Sequence, residues 1–182
     1  PALHLTALTG MRRGEVAGLK WSDLDRANQR VSISRTIQSI AGQPVEFPVK
    51  TRTSRRCVDL DDQTMDVLAR WPGRLTRDGL PHATDHWMFV NPAGRSVNPD
   101  AISQLFDRLQ RQLPELTRIR FHDLRHTHAS LLIMDGVPVK VVSERLGHAN
   151  VAFTMHTYQH LLPGMSAAAA QQFAALLAAH AR

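Results

Sequence analysis

The sequence predicts a mainly α chain with one small antiparallel β-sheet, an α+β fold in a single domain over residues 1–182. Three observations predict it. From about residue 62 to residue 158, apolar residues recur mostly at the three-and-four spacing of helices. Residues 30 to 60 instead alternate with period two and are punctuated by Gly, Pro and Ser/Thr, as short strands are. The 182 residues are 43% hydrophobic and 21% charged, enough for one core and a solvated surface, since domains commonly hold about 100–200 residues.

In chain order, Leu3, Leu5 and Leu8 precede Gly10, and RRGEVAGLKWSDLD then reads as a short helix closed by a polar turn. In RVSISRTI, Val31, Ile33 and Arg35 share one strand face and Ser32, Ser34 and Thr36 the other. PVEFPVK and RRCVDL complete the sheet, with Cys57 as a small packing residue. A helix from Asp62 to Trp71 gives way to a Pro/Gly-rich connection near 72 to 85. Asn98 as N-cap and Pro99 at the first helical position open a helix that carries Ile102, Leu105, Phe106, Leu109 and Leu113 at helical spacing. Further helices run from about His122 to Met134, from Pro138 to Leu146 with Gly147 as stop, and from Asn150 through Tyr158. The Ala-rich tail SAAAAQQFAALLAAH is helical by propensity. The chain opens in amphipathic pattern without a methionine, so an upstream part is expected to precede it.

Lys and Arg exceed Asp and Glu by 22 to 16, a formal charge of +6, and the resulting field favours a polyanion, nucleic acid first. The single cysteine excludes an internal disulfide framework and points to a reducing compartment. No apolar run is long enough to span a bilayer or to serve as a secretory signal.

The only tyrosine, Tyr158, lies in LGHANVAFTMHTYQH among His148, His156 and His160. FHDLRHTHAS places His122, Arg125 and His126 on one face of a helix and Leu124, His128, Leu131 and Asp135 on another, so the second set is expected to hold the helix to the core. His122 and His126 also have the spacing of a zinc-binding helix, with Asp123 where a metalloprotease places glutamate. Aspartate is too short for that base, however, and Arg125 sets a fixed positive charge beside the metal. Arg12 and Arg13 follow a glycine turn at a helix start, where a cation is unfavourable unless an anion binds. Lys50, Arg52, Arg55 and Arg56 crowd one turn between strands. Together these runs suggest a polyanion-binding face, with Arg13, Arg52, Arg55 and Arg56 as its DNA contacts.

Four stretches in order, TGMRRGEVAGLKWSDLD, KTRTSRRCVDL, HDLRHTHAS and LGHANVAFTMHTY, resemble the catalytic domain of the tyrosine recombinase (phage integrase) family, over most of residues 3 to 160. The resemblance implies that fold and a catalytic set of Arg12, Lys50, His122, Arg125, His148 and the nucleophile Tyr158, with Glu15 supporting Arg12. It leaves Arg13 and His126 in supporting parts and His156 and His160 at the surface or around the site.

The implied activity is site-specific cleavage and rejoining of DNA strands through a 3′-phosphotyrosine link, integrating or excising a mobile element. The resemblance implies that neither metal nor ATP is required. The residue types suit this. Two guanidiniums grip phosphate oxygens with paired hydrogen bonds. A phenol, with a pKa of about 10, needs a proton acceptor, for which His122 is the candidate. The leaving 5′ oxygen needs a proton, for which Lys50 is the candidate.

Expected partners are double-stranded DNA and further protomers, as a tetramer on paired sites, with this chain alone mostly monomeric and its DNA binding weak and salt-dependent. Whether DNA-bending or directionality factors assist stays open. The resemblance implies a cytoplasmic protein of a bacterium or phage. Relaxation of DNA in the manner of a type IB topoisomerase, and DNA binding without catalysis, are the competing readings.

Overall fold

A computed structural model describes residues 1–49 and 54–159, with Ala170, Gln171, Phe173 and Ala174 of the tail, which are helical. The rest of the expected tail helix lies outside the described residues.

The chain opens with α1 (Ala2–Thr9) and the short α2 (Arg13–Ala17), then a 3-10 turn at Trp21–Asp23. Five strands follow: β1 (Leu24–Asp25), β2 (Arg30–Ile33), β3 (Arg35–Ile40), β4 (Gln43–Pro48) and β5 (Arg56–Asp59). Helices α3 (Asp62–Arg77), α4 (Pro99–Arg111), α5 (Asp123–Met134), α6 (Val139–Leu146) and α7 (Val151–Tyr158) come next. The mainly α class with antiparallel strands is what the sequence predicts. Among the described residues no helix is long and apolar enough to cross a membrane.

The expected single sheet is two. The order β1-β2-β5 forms one and the β3-β4 hairpin the other, all pairs antiparallel. RVSISRTI is one strand in the sequence reading, but the ladder breaks at Ser34, so that Val31 and Ile33 (0% and 1% exposed) enter the core through one sheet and Ile37 (3%) through the other. Arg35, expected on the face of Val31 and Ile33, pairs with Asp23 and Glu46. Cys57, expected to pack, is exposed, because its neighbour Val58 is the residue of β5 that points inward.

Helix α3 runs past its expected end at Trp71, through Pro72 to Arg77. A proline inside a helix removes one hydrogen bond and is unfavourable by about 3 kcal/mol. Here the helix beyond it sets Leu75 in the core at 1% exposure, and Trp71 Nε1 donates to the Met88 carbonyl at 2.8 Å. Burial outweighs the local preference.

Helix α5 keeps only part of its expected phase: Leu124 packs against the core as expected and His128 is half-buried, but Leu131, also expected to anchor the helix, is 60% exposed, and the fully buried residues are Arg125, Ala129 and Ile133. The main core gathers residues of α1 to α4 and the strands. A smaller cluster of Ala129, Ile133, Val142, Leu146 and Tyr158 joins α5, α6 and α7. Helix α1 packs on α2, α3, α4 and α5, and α6 packs on β5. The α1–α2 junction, the start of β5, α5 and the α6–α7 junction therefore meet.

Candidate active site

Gly10 ends α1 at φ 65, a left-handed conformation that glycine adopts without the steric penalty of a Cβ. The turn brings Arg12 to the N-cap of α2. Glu15, at the third helical position, accepts from the Arg12 backbone N–H and from Arg12 Nη1, each at 2.8 Å. Glu15 is 3% exposed and also takes a two-pronged pair from Arg56, at 3.0 Å on each oxygen. Burial works against its charge, but the hydrogen bond and charge of Arg56, then the charge of Arg12, hold its carboxyl below the ordinary range.

Arg56 is not the free DNA-contacting arm expected from the sequence. Its side chain is 7% exposed, and besides gripping Glu15 its Nε donates to the Arg145 carbonyl at 2.7 Å. With its fork so engaged, it lies beneath Arg12 and Glu15 inside the protein.

Arg125 is 4% exposed, and its Nη1 and Nη2 donate to the carbonyls of Gly10 at 2.7 Å and Leu146 at 2.8 Å. Burial, then the neighbouring charge of Arg12, lowers its pKa to about 9, with Glu15 pulling the other way. On the far side, Gly147 ends α6 at φ 69. Its N–H donates to the Glu144 carbonyl and that of His148 to the Ser143 carbonyl, both at 3.0 Å, the paired closure that fixes the residue after a left-handed glycine. The Gly147 carbonyl accepts from Arg12 Nη2 at 3.4 Å.

His148 so placed has Nδ1 2.7 Å from Thr154 Oγ1 and its ring edge-on to Phe153. Burial, then the charges of Arg125, Arg12 and Arg56, push its pKa down to about 4. It is neutral at neutral pH. The tautomer in which Nδ1 accepts from Thr154 carries its ring proton on Nε2 and has a donor there.

Tyr158, the last residue of α7, is 4% exposed. Its ring belongs to the small core, and its hydroxyl lies 2.9 Å from His126 Nδ1. Burial raises its pKa while the charge of Arg125 opposes the rise, so the phenol is protonated at neutral pH. His122, the expected proton acceptor, stands exposed at the N-cap of α5, its ring edge-on to His126 at 5.0 Å between centroids. Burial, then the charges of His126 and Arg125, lower its pKa. It is His126, not His122, that reaches the phenol.

Arg13 ties α2 to α4, through an ion pair with Asp100 at 3.0 Å and a hydrogen bond to Ser103 Oγ at 3.0 Å. Arg55 is exposed. Lys50 and Arg52 lie outside the described residues, but Val49 and Ser54, which bracket them, line one cleft with Arg12, Glu15, Thr36 and Gln38. Among the described residues no three His, Cys, Asp or Glu side chains are grouped to hold a metal ion.

Arg145 is missed by the sequence reading. Its Nε donates to His128 Nε2 at 3.2 Å, and its other nitrogens donate to the carbonyls of Asp59 (3.1 Å) and Leu8 (3.2 Å). It thereby clamps α6 to β5 and α1. His128, expected as a buried and satisfied histidine, is that partner, and burial followed by the charge of Arg145 lowers its pKa to about 4. The only signal for Arg145 in the sequence is its place two residues before Gly147.

Three guanidiniums (Arg12, Arg56, Arg125) face one carboxylate (Glu15), an excess of two positive charges, 3 − 1 = 2. That excess, beside a neutral histidine donor and a buried phenol, suits a phosphate with a nucleophile next to it.

The sequence matches the model of the phage integrase family over residues 2–164. It is 31% identical over 163 residues to the ICEBs1 integrase of Bacillus subtilis, covering 86% of this chain and 43% of the relative. It is 28% identical over 179 residues to a tyrosine recombinase XerC-like protein of Caldanaerobacter subterraneus subsp. tengcongensis, covering 89% and 46%. The chain thus spans less than half the length of these relatives. Its fold resembles that of the Tn1549 transposon integrase solved with circular intermediate DNA, with a TM-score of 0.82 at 21% identity, over 94% of this chain and 58% of that one. The chain belongs to the phage integrase family.

Proposed function

We propose that this chain is the catalytic domain of a site-specific DNA recombinase, which cleaves a DNA strand with Tyr158 and rejoins it to another. The observation that carries this reading is the excess of guanidinium charge that Arg12, Arg56 and Arg125 bring to Glu15 and the α6–α7 junction, with the hydroxyl of the only tyrosine near enough to feel the charge of Arg125. The relatives named integrase and tyrosine recombinase support it.

In this mechanism half-exposed Arg12 grips the non-bridging oxygens of one phosphodiester, Arg125, held by the carbonyls of Gly10 and Leu146, adds its charge and the N–H groups those carbonyls leave over, and His148 donates from Nε2. Catalysis of phosphoryl transfer is mostly alignment and charge stabilisation, and fixed guanidiniums in a partly dry site supply both. The Tyr158 oxygen attacks phosphorus, the bond to the 5′ oxygen breaks, and that oxygen takes a proton from Lys50. The phosphoester stored on Tyr158 is then attacked by the 5′-hydroxyl of a second strand, which regenerates the phenol. The partners are double-stranded DNA and further protomers on paired sites.

The test uses a nicked duplex built from the DNA flanking the gene, in which the cleaved strand loses a short fragment and cannot religate. The protein is expected to form an adduct that survives denaturation and is absent in Tyr158→Phe. An adduct of undiminished yield in that variant contradicts the reading.

A further inference from the structure

The geometry points to His126 as the group that receives the proton of Tyr158 when its oxygen attacks phosphorus, a role that rests on the recombinase reading of Tyr158. His126 Nδ1 is 2.9 Å from the phenolic oxygen, hydrogen-bond distance, and the two rings are 6.1 Å apart between centroids. The neutral ring with its proton on Nε2 presents a lone pair to the phenolic hydrogen. During the step the Oη–P bond forms, the O–H bond breaks with its proton moving to Nδ1, and the P–O5′ bond breaks. Rejoining reverses the transfer and returns the proton to the phenol, so one histidine serves both halves of the reaction.

The other histidines of the site are placed less well for this. His148 faces Arg125, Arg12 and Arg56, and a proton accepted there meets three positive charges. Its Nδ1 is also taken by Thr154. His122 contacts His126 edge to face, and it is the His126 ring that stands between it and Tyr158 in the chain of contacts. A proton on His126 has the Asp123 carboxylate one turn earlier on α5, close enough for the histidine charge to be felt at that carboxyl. The charged or titratable groups facing His126 are thus His122 and Asp123 on its own helix, Tyr158 on α7, and His148 from the α6–α7 junction.

Because Tyr158 is the only tyrosine, a 13C label at tyrosine Cζ gives a single resonance that reports this hydroxyl alone. In the full chain without DNA, that resonance is expected to move in His126→Asn, which changes the partner of the hydroxyl, and to keep its wild-type position in His122→Asn. An unchanged resonance profile in His126→Asn overturns the inference.

The second arm is the rate of adduct formation on the nicked duplex. Asparagine offers an amide oxygen near the position of Nδ1 but cannot hold the proton, so both His126→Asn and His126→Ala are expected to slow the adduct by about 100-fold or more. Wild-type rates in His126→Asn, with slow ones in His126→Ala, reduce the residue to a positioning contact and overturn the proposed transfer. An adduct that persists in Tyr158→Phe instead overturns the recombinase reading itself, whatever His126 does.

Discussion

A carboxylate that is 3% exposed keeps its charge only when cations stand close, and Glu15 has Arg12 and Arg56 within 3.0 Å. This residue joins the half-exposed arginine expected to touch phosphate to the buried one beneath it. Glu15→Gln keeps the shape and removes the charge, leaving Arg56 buried without its counterion. Breaking a buried pair from one side costs about 3 kcal/mol or more, so urea denaturation should show a loss of that order. Unchanged stability would mean that the pair contributes nothing. Arg12 and Glu15 are legible in the sequence because both lie in one local motif, an N-cap and the third residue of its helix. Arg56 and Arg145 are not, because their partners lie 41 and 86 residues away along the chain.

Among the elements, the α6–α7 junction does most to assemble the site. The left-handed turn at Gly147 sets His148, offers a carbonyl to Arg12, and lets the Arg56 guanidinium pass so close that a Cβ on residue 147 falls 2.6 Å from Arg56 Nη1. Gly147→Ala therefore combines a strained φ, about 1–2 kcal/mol for an L residue in that region, with displacement of Arg56. A fall in stability of at least that size is expected in chemical denaturation, together with slower adduct formation; a variant indistinguishable from wild type in both would contradict it. The glycine stop, and the Asn98 and Asn150 caps, were readable because such signals act over a few residues. The phase of α5 was readable only at its start, where Leu124 packs on the core. Its inner face is occupied by an arginine whose charge is satisfied by the carbonyls of Gly10 and Leu146, while Leu131 and Met134 face outward at 60% and 64% exposure, so apolar periodicity points the wrong way.

At the scale of the whole molecule, folding buries histidines that are ordinary in the unfolded chain and sets positive charges around them. His128 and His148 have pKa values near 4 against 6.5 when unperturbed. As pH falls below 6.5 the unfolded chain takes up protons that the folded one refuses, so stability is full above that value and declines toward pH 4. Glu15, held below its ordinary value, adds a further loss once pH falls below about 4.5. Urea midpoints measured between pH 7 and 5 should fall, and fall less steeply in His148→Asn; parallel curves for the two proteins would refute this account of His148. The convergence of the α1–α2 turn, β5, α5 and α7 was foreseen through the four spaced motifs and their resemblance to a family, whereas the split into two sheets and the run of α3 through Pro72 depend on burial that no local signal encodes. The central claim is that these segments surround one DNA phosphate with the Tyr158 oxygen against it. Mass spectrometry of the nuclease- and protease-digested DNA adduct tests it most directly: a nucleotide joined through its 3′ phosphate to the Tyr158 peptide is the expected result, and a nucleotide on any other residue would contradict it.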